Sequence, residues 1–129
     1  GRLHAGVLAH PPVVLGRAGQ QNSRTFVQDL YNAGADVILT GHGHTYERFA
    51  PQDPNRVADP NGLRAFVVGT GGKNHTSLPL PPDLAPNSEV SDANTYGILK
   101  LTLHPTSYDW QFVPEPGKTF TDSGSQACH

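Results

Sequence analysis

Residues 34–48 read Gly34-Ala35-Asp36-Val37-Ile38-Leu39-Thr40-Gly41-His42-Gly43-His44-Thr45-Tyr46-Glu47-Arg48, and the fold turns on this stretch. Residues 36–40 form a short apolar run with β-branched side chains, the pattern of a buried strand. Gly41 and Gly43 let the backbone turn sharply, so His42 and His44 reach different points instead of stacking on one face. Just upstream, Phe26, Val27, Leu30 and Tyr31 recur at i, i+1, i+4 and i+5. That spacing predicts a helix capped at Asn22 or Ser23, running through Asn32 and stopped by Gly34. Further upstream, Ala5-Gly6-Val7-Leu8-Ala9 is a second buried strand, which ends at His10-Pro11-Pro12 because proline donates no hydrogen bond and restricts its predecessor.

Strand, helix, strand with short connections is a βαβ unit, which predicts parallel strands and a right-handed crossover. Both strands then end on one side of the sheet. His10 is thereby brought near the turn at 41–44, at the edge where open α/β sheets hold ligands. Downstream, 51–62 is a polar loop and Arg64-Ala65-Phe66-Val67-Val68 a third strand, closed by Gly69-Thr70-Gly71-Gly72. Residues 73–94 are Pro-rich with little pattern and read as a surface excursion of the kind that borders a site. Residues 96–103 and 108–113 alternate sides around His104-Pro105-Thr106-Ser107, an antiparallel hairpin. The tail after 113 reads as irregular.

A chain of 129 residues allows one domain. Its 14 Gly and 12 Pro exceed average usage, but the aliphatic runs argue against disorder. Nine Lys+Arg against eleven Asp+Glu leave a net charge of −2 with no block of one sign, so no nucleic-acid or anionic-membrane surface is expected. No apolar run approaches the roughly 18 residues of a membrane span. The chain begins at Gly1 and lacks Met, and it reads as a piece of something longer. The lone Cys128 is either a free thiol or half of a disulfide with a partner elsewhere.

Three of the seven histidines carry the chemistry. Imidazole is the commonest protein ligand for zinc and suits iron as well. Each of His10, His42 and His44 has a bland alternative, a half-buried ring satisfied by backbone carbonyls. The strand end, the paired glycines and the third His together favour metal ligation. No acid is obviously placed beside them. Glu47 stands next to Arg48 and reads as an ion pair or a hydrogen-bond anchor. Three His could hold one zinc with an open position, yet one turn supplying two of them serves two metals more comfortably. His75, following the glycine loop, is a candidate catalytic residue through substrate contact. His104 and His129 are expected to face solvent, and Trp110 with Phe112 to lie in the core. The sequon at Asn74 reads as chance, and the Pro-rich stretch 78–86 as a rim loop rather than a polyproline-binding site.

The segments Val7-Leu8-Ala9-His10-Pro11-Pro12, 34–48 and Phe66-Val67-Val68-Gly69-Thr70-Gly71-Gly72 resemble the C-terminal half of calcineurin-like metallophosphoesterases, purple acid phosphatase branch. The motifs occur in that family's order and spacing, and the likeness extends over nearly the whole chain. It implies an α/β fold, the C-terminal half of a four-layer α/β/β/α sandwich, with residues 1–129 the C-terminal portion of a single catalytic domain. It implies two divalent or trivalent metal ions, Fe, Zn or Mn, about 3–4 Å apart. By resemblance His10 and His42 match ligands of the second metal and His44 a ligand of the first. Tyr46, Glu47, Arg48, Gly41 and Gly43 match supporting positions. The family's Asp pair and Gly-Asn-His segment would lie upstream of Gly1, in a missing N-terminal half. Pro11 stands where bacterial relatives often carry a further His, and Gly43 replaces a larger residue, which should loosen the turn.

The implied activity is hydrolysis of a phosphate-ester substrate by a hydroxide activated at two metals, in a secreted or periplasmic protein. This chain would supply only the His ligands and would be inactive alone. The rival readings are a non-catalytic β-rich module and a mononuclear zinc site of three His. A half-sandwich should also expose apolar surface and an open sheet edge.

Overall fold

The structure is a computed structural model and describes residues 5–7, 21–78 and 84–129. Its elements are β1 Ala5–Val7, α1 Gln21–Asn32, β2 Val37–Thr40, β3 Tyr46–Phe49, β4 Arg64–Val68, β5 Ser88–Asp92, β6 Gly97–Leu103, β7 Ser107–Pro114 and β8 Ser123–Ala127. Helix α1 ends where its sequence says it should. Gly34 adopts φ 70°, and the Gly34 and Ala35 amides donate to the carbonyls of Tyr31 and Leu30, both at 3.0 Å. That pair of bonds satisfies carbonyls the last helical turn leaves open. Val27 is buried, with Leu30 and Tyr31 packed beside it. Phe26 departs from expectation and is 38% exposed, since one residue along a helix rotates the side chain about 100° from its neighbour.

β1 runs parallel to β2 with Val7 opposite Leu39, and β2 runs parallel to β4. β3 lies antiparallel between β4 and β5, giving the order β1-β2-β4-β3-β5. β6, β7 and β8 form a separate antiparallel sheet, with the expected hairpin between β6 and β7. Alternation along β4 builds two cores. Ala65 and Val67 join Ile38, Phe49 and Val27 on the helix side. Phe66 joins Val37 and Tyr46 against Tyr108, Trp110 and Phe112 of the second sheet. Helix, sheet and sheet therefore make three of the four expected layers, and α1 is the only helix among the described residues. Trp110 and Phe112 are core residues, as expected.

Two strands, β5 and β8, correct the sequence reading, and a third, β3, adds to it. β3 carries a charge on each face: Arg48 is turned between the sheets and Glu47 is buried with a hydrogen bond from Ser88 Oγ at 2.8 Å. Apolar alternation is therefore absent from a strand that is buried nonetheless. β5 lies inside the stretch expected to be a surface excursion, paired with β3 through Arg48↔Val90 and Tyr46↔Asp92. β8, Ser-Gly-Ser-Gln-Ala, occupies the tail expected to be irregular; it is ordered by its ladder to β7 rather than by its own propensity. Part of the Pro-rich segment, 79–83, lies outside the described residues.

A polar cluster fastens the two sheets. Asp122, just before β8, accepts from Tyr46 Oη at 2.7 Å and from Arg48 Nε at 2.7 Å and Nη2 at 3.2 Å. Glu89 of β5 accepts from both Arg48 and Arg64, and Arg64 Nε donates to Gln126 at 2.6 Å. Both guanidinium carbons lie 5.0 Å from the Trp110 ring centroid, within cation–π range. Burial raises the Asp122 carboxyl, but the hydrogen bonds from Arg48 and Tyr46 and the guanidinium charge outweigh it and hold the group below the usual carboxylate range.

His129 is exposed, as expected, but it has a partner. Its Nδ1 lies 3.0 Å from Oδ1 of buried Asp36, which also accepts from the His129 amide. His104 is exposed as expected, 2.8 Å from Asp109. Cys128 packs against the intersheet core; burial and nearby Asp36 push its thiol pKa up. Among the described residues the most exposed large apolar side chains are Ile98 at 64%, Val57 at 62% and Leu103 at 57%, the first and last on β6, an edge strand.

Candidate metal centre

The segment between β2 and β3 is two consecutive three-residue turns, each with a histidine at its middle. The Gly43 amide donates to the Gly41 carbonyl at 2.8 Å around His42, and the Thr45 amide to the Gly43 carbonyl at 2.8 Å around His44. His42 takes φ 66°, in the left-handed region that a bulky L-residue rarely adopts. A γ-turn with positive φ is rare and strained, and strain of this kind concentrates where function requires it. Gly43 sits at the centre of this segment. The two hydrogen bonds close it, and a Cβ at position 43 would stand 3.2 Å from Val67 Cγ1, tighter than ordinary contact.

Next to this turn lies the glycine loop after β4. The Gly69 amide donates to the Thr45 carbonyl at 3.0 Å. A Cβ on Gly69 would fall 1.8 Å from the Gly43 carbonyl oxygen, so only glycine lets the two backbones approach this closely. The loop continues into a strap across His44. His44 Nδ1 is 2.8 Å from the Asn74 carbonyl oxygen, and the His44 carbonyl accepts from the Thr76 amide at 3.2 Å. A carbonyl can only accept, so Nδ1 carries the proton, and in the neutral ring Nε2 keeps its lone pair. Metal-binding histidines are oriented in this way, the distal nitrogen hydrogen-bonded to a backbone carbonyl or carboxylate. A cavity of about 70 Å³ opens between the turn and Thr76 and Ser77 of the strap.

The structure thus brings His42 and His44 onto one short turn at the C-terminal edge of β2, His42 exposed and His44 half-buried. His10 lies outside the described residues, although β1 runs parallel to β2 and leads toward the same edge. Among the described residues no group of three or more His, Cys, Asp or Glu is placed to hold a metal ion. The donor chemistry of His44 fits a metal; a full ligand set needs donors beyond these two. His75 Nδ1 lies 3.2 Å from the His44 carbonyl, and its ring stacks on Tyr96 at 4.1 Å.

Tyr46, Glu47 and Arg48 follow the turn directly, on β3. Tyr46 and Arg48 are tied to Asp122, and burial with the Asp122 hydrogen bond pushes the Tyr46 hydroxyl pKa well above its ordinary value. Glu47 proves to be a hydrogen-bond anchor to Ser88. Sequence reasoning missed Asn74, which acts through a backbone carbonyl and leaves no residue-type signal, and Asp122, which sits 76 residues from Tyr46 in a segment without pattern.

No protein-family model matches the chain. Over 81 residues, 61% of this chain, it is 36% identical to purple acid phosphatase 21 of Arabidopsis thaliana, covering 18% of that protein. It is 38% identical over 76 residues to purple acid phosphatase 22 of the same plant, covering 56% of this chain and 17% of the relative. In fold it is similar to a purple acid phosphatase from yellow lupin (Lupinus luteus) seeds, with a TM-score of 0.63 and 22% identity over 84% of this chain and 20% of that one. The chain spans about a fifth of the length of these relatives.

Proposed function

We infer, for a chain that is purple acid phosphatase-like in sequence and in fold, that His42 and His44, with His10, are ligands in the dinuclear metal centre of a phosphoesterase. Phosphate-ester hydrolysis then belongs to a longer protein whose upstream part supplies the carboxylate ligands, in a secreted or periplasmic setting. The observation that carries this reading is the hydrogen bond from His44 Nδ1–H to the Asn74 carbonyl, which leaves Nε2 as a free donor beside an exposed His42. Bound there, metal ions supply Lewis-acid charge against phosphoryl oxygens, the main electrostatic need of phosphoryl transfer. The protein's own part is to hold neutral imidazoles that fix geometry without cancelling metal charge. The strap holds the His44 imidazole before any metal arrives, so less reorganisation remains for binding there.

Zinc titration of the 129-residue chain tests the ligand assignment. Weak binding is expected in the unaltered chain, with a loss of at least about tenfold in affinity in His42→Ala and in His44→Ala. Equal binding in all three chains would overturn it. Hydrolysis of p-nitrophenyl phosphate by the chain alone is expected to match the blank, and turnover like that of an intact phosphoesterase would refute the division of labour.

A further inference from the structure

We propose that His75 is a positioning residue that holds the metal-binding tautomer of His44, clamping the ligand turn to the second sheet through Tyr96. The inference rests on His44 being a ligand, and it begins from a weakness in the geometry. The carbonyl that fixes the His44 proton belongs to Asn74, an exposed residue two beyond Gly72, whose φ is 127°. A loop of that composition does not hold an acceptor still by itself. Two donors just beyond it tie the strap to the turn, the Thr76 amide, 3.2 Å from the His44 carbonyl, and the His75 ring. His75 directs Nδ1 at the His44 carbonyl, 3.2 Å away, and as that carbonyl accepts only, Nδ1 is the protonated nitrogen. The ring lies on Tyr96 with 22° between planes. Tyr96 in turn is fixed: its carbonyl accepts from the Glu115 amide at 2.8 Å, and adjacent Gly97 exchanges hydrogen bonds with Thr70 at 3.1 and 2.8 Å.

The other nitrogen of His75 shows what the ring is for. Nε2 is buried and has no hydrogen-bond partner, a condition native proteins avoid. Phenylalanine at this position would give the same stack and spare the unpaired atom, but it could not donate to His44. Histidine there is explained by its Nδ1–H. The ring is thereby assigned to holding the ligand, with its one remaining lone pair shut away from solvent.

The test uses the metal-free chain labelled with 15N in its imidazoles, and then zinc titration. In the unaltered chain His44 is expected to show a protonated Nδ1 and an unprotonated Nε2. His75→Phe keeps the stack and removes the donor: a mixture of His44 tautomers and a fall of about tenfold or more in zinc affinity are expected. His75→Asn places an amide nitrogen where Nδ1 stands, and it is expected to restore the single tautomer even though the stack is gone. A single Nδ1–H tautomer in His75→Phe would overturn the proposal whatever zinc does. A tautomer shift in His75→Phe, rescued by Asn, supports it even in a chain whose zinc binding ignores His42 and His44; that combination would refute the ligand reading alone. A shift in His75→Phe that Asn does not rescue would overturn it as well.

Discussion

Asp122→Ala is expected to destabilise the chain by about 3–5 kcal/mol, the usual consequence of removing one partner from a buried ion pair. Asp122 is only 9% exposed. Without it, the Arg48 guanidinium loses two hydrogen bonds, and the Tyr46 hydroxyl is left unpaired in the intersheet core. Urea unfolding measures the effect as a lower midpoint at unchanged slope. Acid should reproduce part of it in the unaltered chain. The native carboxyl titrates below the unfolded one, near 3.9, so between the two values the unfolded state binds more protons. The stability Asp122 contributes is therefore complete above about pH 5 and is lost as pH falls through its depressed native value. Asp122→Asn, less stable from the start, should show a flatter acid limb; an unchanged limb would remove Asp122 from the account.

Gly69→Ala is the second large effect, and it should strike stability and metal binding together. The added methyl would meet the Gly43 carbonyl oxygen at 1.8 Å, its carbon at 2.6 Å and the His44 Cα at 3.0 Å. All three are backbone atoms, so no side-chain rotation relieves the overlap, and the double turn itself must move. A loss of about 3 kcal/mol or more is expected, at the upper end for overpacking, with a fall of at least about tenfold in zinc affinity as the imidazoles are displaced. Gly71→Ala is the control. A Cβ there meets nothing within 4 Å, and a change within about 0.5 kcal/mol is expected. Equal behaviour of the two variants in melting and zinc titration would show that the close approach of the two loops does not matter.

The legible parts of this fold were those whose signals are local. β2 and β4 are dense apolar runs, α1 has its stripe and its glycine stop, and the β6–β7 hairpin has its alternation. β3, β5 and β8 were hidden because their partners, not their own residues, make them strands. Tyr46-Glu47-Arg48-Phe49 disguises its two buried faces with charges that are satisfied only by Ser88, Glu89 and Asp122, all distant in sequence. The site divides in the same way. His42 and His44 were visible through their glycines, whereas the strap that orients His44 works through a carbonyl, which every residue carries. His75 was visible as a histidine, but its orientation toward His44 depends on Tyr96, which stands just before β6.

The left-handed backbone at His42 sets stability against the ligand role proposed for it. Glycine, or to a lesser degree asparagine, would occupy that conformation at lower cost, the penalty for other side chains being roughly 1–2 kcal/mol. A library selected only for heat tolerance would therefore drift away from imidazole at this position and gain robustness while discarding a donor. Engineering campaigns on this scaffold need to score cation capture alongside melting, or they will select the proposed liganding function out.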